Sequence, residues 1–248
     1  MTAGGFEELI VSCEHGGNEV PASLRGLFAG PHARRMLGSH RGFDPGSAEA
    51  ARFLAARFGA RLEIATVSRL VVDLNRSIGN DELFSRFTSP LDAATRQAIV
   101  DAHYRPHRDA VTEAVRRAVA AGRRVVHLSV HTFTSRYRGT HRPLDVGLLF
   151  DPARRGERTL CGRWREELRH VAPRVRVAEN EPYAGTADGF TTWLRRRFDD
   201  DVYAGIELEL NNRIARLTPA GRANRMRQIG DTLGAVIGGE PFGSGPRT

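Results

Sequence analysis

The hydrophobic pattern opens on a brief apolar run, Leu9-Ile10-Val11-Ser12-Cys13, that breaks abruptly into Glu14-His15-Gly16-Gly17-Asn18. An apolar run ended by turn residues predicts a buried strand. The glycines read as room for the backbone to turn closely around a ligand. Apolar residues at helical spacing, closed by a glycine, predict a helix over 46–59. Short strands are expected at Arg61–Ala65 and Ser68–Leu74, then a loop over 75–90 rich in Gly, Asn, Asp, Ser and Pro. A long helical pattern covers Leu91–Ala121, with Pro106 as a kink or break. Further strands are predicted at Arg124–Val130, Asp145–Phe150, Arg174–Ala178 and Val202–Leu210, and helices at Arg155–Val171, Asp188–Phe198 and Thr218–Ile237. Strands alternating with helices imply an α/β fold, a single domain over 1–237 with a mostly parallel central sheet and helices on both faces. Residues 238–248, rich in Gly and Pro, are expected to form a flexible tail.

Composition narrows the function classes. With 40% hydrophobic residues in 248, the chain can bury one sizeable core. No apolar run approaches a membrane span, and no basic region followed by an apolar core opens the chain. A cytoplasmic protein with no membrane partner is therefore expected. Cys13 and Cys161 are too few for a disulfide framework. The formal charge is +8, and all 37 basic side chains are arginines. Without lysine there is no Schiff-base chemistry and no P-loop. The arginines alternate with acids, as in Arg163-Trp164-Arg165-Glu166-Glu167, which fits solvated helix faces. No nucleic-acid partner is expected from so scattered a charge. Guanidinium groups suit carboxylates, so a small carboxylated substrate fits the composition.

Candidate chemistry gathers at strand ends. The first predicted strand delivers Glu14 and His15, and Val125-Val126-His127-Leu128-Ser129-Val130 delivers His131. Ala204-Gly205-Ile206-Glu207-Leu208-Glu209-Leu210 carries two carboxylates on one face, because alternate strand residues point the same way. Parallel strands bring these ends to one sheet edge, where open α/β folds bind ligands. Two histidines and a carboxylate there match the needs of a catalytic zinc, with a further carboxylate as general base.

The most specific stretch is Ser68-Arg69-Leu70-Val71-Val72-Asp73-Leu74-Asn75-Arg76-Ser77. Together with Glu14 to Asn18, His131-Thr132-Phe133-Thr134, Asp145 to Asp151 and Asn180-Glu181-Pro182-Tyr183, it resembles the N-formylglutamate amidohydrolase family, with the matches in the family's order. The resemblance implies a zinc-peptidase-like α/β fold. It also implies a zinc-dependent hydrolase cleaving the amide of a small carboxylated amino acid such as N-formylglutamate. It extends more loosely to zinc carboxypeptidases, in which an Asn-Arg pair grips the substrate carboxylate; here that role falls on Asn75 and Arg76. Where those peptidases carry a glutamate three positions after the first histidine, this chain has Asn18. The third ligand beside His15 and His131 is then Asp44, in the family-like His40-Arg41-Gly42-Phe43-Asp44-Pro45-Gly46, ahead of Glu14. Glu209 fits the late family glutamate better than Glu207 and is taken as general base. Arg142 is the candidate for a second substrate carboxylate, ahead of Arg138. His103 and His107 have helical zinc spacing, but Pro106 between them favours a structural or supporting role. Cys13 reads as a small buried residue.

Overall fold

The first strand, β1 (Glu8–Cys13), is flanked on both sides by parallel partners, which is why its apolar run is continuous. In the computed structural model, residues 7–238 are described; residues 1–6 and, beyond Gly238, the expected tail lie outside the described residues. After β1 come a 3-10 turn (Ala22–Phe28), α1 (Pro31–Leu37), α2 (Ser47–Phe58), β2 (Arg61–Ile64), α3 (Ala93–Ile99) and α4 (Arg105–Ala120). The second half runs β3 (Val125–Phe133), a small hairpin of β4 (Arg136–Tyr137) and β5 (Thr140–His141), β6 (Val146–Leu149), α5 (Arg155–Val171), β7 (Val177–Glu179), α6 (Phe190–Arg195), β8 (Tyr203–Asn211) and α7 (Pro219–Ile237). The main sheet has the order β2-β1-β3-β8-β6-β7. All neighbours are parallel except β6 and β8, so the fold is the mostly parallel α/β architecture expected, with one polarity reversal.

The two faces of the sheet differ. One is apolar along its length: Leu9, Val11, Val126, Leu128, Val130, Ile206 and Leu208 pack under α2, α5 and α7. Trp164 of α5, fully buried, ties that layer to α7 through Nε1, which donates to Thr232 Oγ1 at 3.1 Å. The other face starts apolar and turns polar toward the strand ends. Along β3 it reads Val125, His127, Ser129, His131, and along β8 Tyr203, Gly205, Glu207, Glu209. Its apolar beginning, with Ile10, Val125 and Tyr203, is covered by α4 and α6, which also reach the nearer polar groups through His107 at Glu14, Phe190 at His127 and Thr191 at Glu207. Since α2, α5 and α7 cover one face and α4 and α6 the other, helices lie on both, and the uncovered polar ends face one edge.

Three local expectations change. Ser68–Leu74 is not a strand but a run of turns, with the isolated bridge just before it, Glu19 to Val67, lying outside the sheet. Its backbone finds local partners: Val71 N donates to Ser68 O at 2.8 Å, and Asn75 N to Asp73 Oδ1 at 2.9 Å. Leu70, Val71, Val72 and Leu74 are buried in a separate cluster with Leu24, Phe28 and Tyr104, so burial without pairing produced the apolar run. The long helix begins at Ala93, capped by Asp92, whose side chain accepts from Thr95 N. It widens to a π turn over Val100–Tyr104 just before Pro106, which lacks the N–H of a regular turn, and then continues as α4. Finally, the third strand does not stop before His131 but carries it in the ladder, ending at Phe133.

Candidate active site

Strand register sets the first distances. His131 of β3 pairs with Glu209 of β8, and Ser129 with Glu207, so histidine and carboxylates share one face. His15 leaves the end of β1, and Asp44 N donates to His15 O at 2.9 Å, drawing the Phe43-Asp44-Pro45 segment onto the same edge. Gly16 and Gly17 serve a close packing contact. They let the chain pass against β2: a Cβ on Gly17 would stand 2.5 Å from Thr66 O, and one on Gly16 2.6 Å from Ile64 Cγ2.

Three side chains converge. His15, Asp44 and His131 are all buried and offer ligand atoms within 4.8 Å of one another. Asp44 Oδ2 lies 3.4 Å from His15 Nδ1 and 3.0 Å from His131 Nδ1. Each imidazole also has a carboxylate on its far nitrogen: His15 Nε2 is 2.7 Å from Asp73 Oδ1, and His131 Nε2 is 3.1 Å from Glu14 Oε2. The donor set fits a divalent ion. Tetrahedral ligands about 2.1 Å from a common centre stand about 3.4 Å apart, and the two aspartate–histidine separations are close to that spacing. His15 Nδ1 is buried without a hydrogen-bond partner, the orphan that a coordinated atom would explain. Carboxylates on the distal nitrogens are the usual supports of metal-binding histidines.

The surrounding charges hold these groups in place. Glu14 is not among the converging ligands; it sits behind His131, accepting from Ser129 Oγ at 2.5 Å, with His107 Nε2 3.2 Å from its other oxygen. Burial alone would raise Glu14, but His107 and His131 hold its carboxyl well below the usual range. Asp44 is likewise held low, against burial, by His15, His131 and Arg69. Burial would lower His131, yet hydrogen bonds to Asp44 and Glu14 keep its imidazole well above its usual value. Arg69 braces the cluster from the side, donating to Asp73 at 2.9 Å and Asp44 at 3.4 Å. Burial, together with Asp44 and Glu207, pushes the Glu209 carboxyl up to about 8 against the pull of His131, and its Oε2 is buried without a partner.

His15, Asp44, Arg69, His131 and Glu209 line one cavity of about 210 Å³, which also takes in His40, Asn75, Arg76, Thr132, Tyr183, Asp188 and Glu207. Asn75 Oδ1 accepts from Phe190 N at 2.6 Å, which turns its amide nitrogen toward His131, 3.5 Å away. Arg76 Nη1 donates to Asn75 O and Asp188 O, both at 3.1 Å. Arg142 does not line the cavity. It donates to the Tyr183 hydroxyl at 3.1 Å and stacks on Tyr137 and Tyr183, so it reaches the rim only through Tyr183. Asn18 is turned away, donating to Leu37 O. Cys13, fully buried, has its thiol pushed up to about 12 by burial and is no nucleophile. Sequence reasoning left Arg69, Asp73 and His40 without roles, although all three stand in the quoted motifs. The four-residue spacing of Arg69 with Asp73, and of His40 with Asp44, was the available signal.

Fold and site together define a mostly parallel α/β protein whose polar strand ends meet in one small cavity. Residues 7–215 match the sequence model of the N-formylglutamate amidohydrolase family, and the chain belongs to that family of carbon–nitrogen amide hydrolases. A solved structure of a gene product from Agrobacterium tumefaciens shares 27% identity and superposes with a TM-score of 0.78, covering 96% of this chain and 94% of that one. The N-formylglutamate amidohydrolase from Ralstonia eutropha JMP134 is 22% identical, with a TM-score of 0.72 and 94% of each chain covered. A metallo-carboxypeptidase from Burkholderia cenocepacia overlaps at a TM-score of only 0.37, covering 94% of this chain and 56% of that one, at 14% identity. No curated protein matches the sequence.

Proposed function

We propose that this protein hydrolyses the amide bond of a small N-acylated, carboxylate-bearing amino acid, N-formylglutamate first among them, using one zinc ion held by His15, Asp44 and His131. The observation that supports this most is the convergence of two imidazole Nδ1 atoms on one Asp44 oxygen, each ring braced by a carboxylate at its other nitrogen. When bound, the ion would polarise the scissile carbonyl and bring the pKa of a coordinated water toward neutrality. The remaining work falls to side chains. Glu209, which lines the cavity and keeps an oxygen without a hydrogen-bond partner, takes the proton of the attacking water and returns it to the leaving nitrogen. Asn75 and Arg76 hold the substrate carboxylate, the guanidinium by parallel hydrogen bonds and the amide by one more, so that the amide carbon rests against the ligand cluster. Arg142 holds the Tyr183 hydroxyl in place at the rim, where a second substrate carboxylate would lie.

The test is direct. Purified protein should carry roughly one zinc per chain, hydrolyse N-formylglutamate, and lose that activity to a chelator. Full turnover in a metal-free preparation would overturn the metal assignment. His131→Ala retaining both zinc and turnover would overturn the ligand set. A panel of acylated amino acids then ranks the acyl group and the side chain.

A further inference from the structure

Behind the cavity wall, a buried guanidinium stands without a carboxylate partner. Arg108 of α4 is 2% exposed, and among the described residues it forms no ion pair. Isolated buried charge is costly, so what it touches matters. Its Nη1 donates to Leu74 O at 3.1 Å and to Arg76 O at 3.2 Å, the two carbonyls that bracket Asn75. The Tyr104 hydroxyl donates to the same Arg76 carbonyl at 2.8 Å. The guanidinium carbon lies 4.2 Å from the centre of the Phe190 ring, 4.8 Å from Tyr104 and 4.9 Å from Trp193, so three ring faces take the place of a counter-ion. Phe190 closes the circuit, since its backbone N–H holds Asn75 Oδ1. Arg108 therefore touches both the main chain on either side of Asn75 and the residue whose N–H orients the Asn75 side chain.

We propose that Arg108 is the positioning residue of the substrate-carboxylate site: assisted by Tyr104, it fixes the backbone from Leu74 to Arg76 and so the direction in which Asn75 and Arg76 present their donors to the cavity. This rests on the reading of Asn75 and Arg76 as the grip on the substrate. Bonds from a charged donor are stronger than neutral ones, and a packed guanidinium resists displacement. Arg108 makes no hydrogen bond to the candidate metal ligands or to Glu209. Its loss thus loosens the hold on substrate while sparing the chemistry of substrate once held.

The experiment measures KM, kcat and zinc content for N-formylglutamate with the zinc-loaded protein, Arg108→Met, Arg108→Lys and Tyr104→Phe. Arg108→Met should raise KM by about tenfold or more, with kcat changed less than about threefold and zinc content unchanged. Arg108→Lys keeps the charge and a donor but loses the flat stacking face, and should give an intermediate KM. Tyr104→Phe, which removes one hydroxyl, should raise KM by about threefold. An unmoved KM in Arg108→Met, or a defect confined to kcat or zinc content, overturns the proposal. If Arg108→Met does not fold, Tyr104→Phe decides, and an unmoved KM there overturns it as well. Wild-type protein inactive on the whole acyl amino-acid panel overturns the functional reading and this inference together. An active wild type whose KM is unchanged by these substitutions overturns the role of Arg108 alone.

Discussion

Glu209 sits between opposing fields. Burial and the carboxylates of Asp44 and Glu207 favour its protonated form, while His131 opposes them. A cation held by His15, Asp44 and His131 would reverse that balance and leave Glu209 ionised, the form a general base requires. Glu207, two residues earlier on the same face, already accepts from Thr191 Oγ1 at 2.9 Å, whereas Glu209 keeps an unpartnered oxygen. Glu209→Gln should therefore lower kcat by about 100-fold or more with zinc retained, and Glu207→Gln by less than about tenfold; the reverse ranking in steady-state assays would move the base to Glu207. At this scale the sequence disclosed the residue types and their strand ends well. It did not disclose who supports whom. His15 and its brace Asp73 are 58 positions apart, and Glu14, next to His15 in the chain, serves His131 instead. Such pairings depend on strand order and side-chain direction, which local patterns do not carry.

Elements were readable where periodicity and burial agreed. The helix over 46–59 and the strands β1 and β2 follow their patterns: α2 buries one face against the sheet, and the continuous apolar run of β1 is buried on both faces between parallel neighbours. Ser68–Leu74 failed because an apolar run records burial, and here burial comes from a loop cluster with its own turn hydrogen bonds. The polarity of β6 was also out of reach, since nothing local distinguishes a parallel from an antiparallel neighbour. That reversal shapes the cavity. The segment after β7 crosses over β6 at Gly147, where a Cβ would meet Glu181 O at 2.1 Å, and brings Tyr183 and Asp188 to the site. Close approach also governs the turn after His15. Gly17→Ala would drive a methyl into the Thr66 backbone, so it should cost about 1–3 kcal/mol of stability and weaken zinc binding by displacing His15. Chemical denaturation together with a zinc-chelator titration checks both, and a variant matching wild type in each would refute the packing argument.

For the molecule as a whole, one contribution to the pH dependence of stability comes from a histidine that the fold keeps uncharged. His127 is buried in the middle of β3 between Ser12 Oγ, 2.8 Å from Nε2, and the Tyr203 hydroxyl, 2.9 Å from Nδ1. Burial pushes its imidazole down to about 4. An unfolded chain would protonate it near 6.5, so between pH 6.5 and 4 the unfolded state binds a proton that the folded state refuses. Stability therefore falls as the pH drops through that window, by on the order of 3 kcal/mol from this residue, and the loss levels off below it. Burial of Glu209 acts in the opposite sense over the same range. The readout is therefore the difference between wild type and His127→Gln in urea denaturation at pH 7, 5.5 and 4, which should fall across the window; a constant difference would refute the assignment. The α/β class and the shared strand edge were accessible from the alternation of elements, but the order of strands in the sheet was not. That order has a consequence for how the protein comes into being. Among the described residues β8 is the last strand to be synthesised, yet it lies in the middle of the sheet, between β3 and β6. While the chain is still emerging from the ribosome, His15, Asp44 and His131 are already made. The sheet, however, remains two unjoined pieces, β2-β1-β3 and β6-β7. The strand that unites them is the one that bears Glu209, so the final seam of the architecture and the last group of the proposed chemistry arrive together.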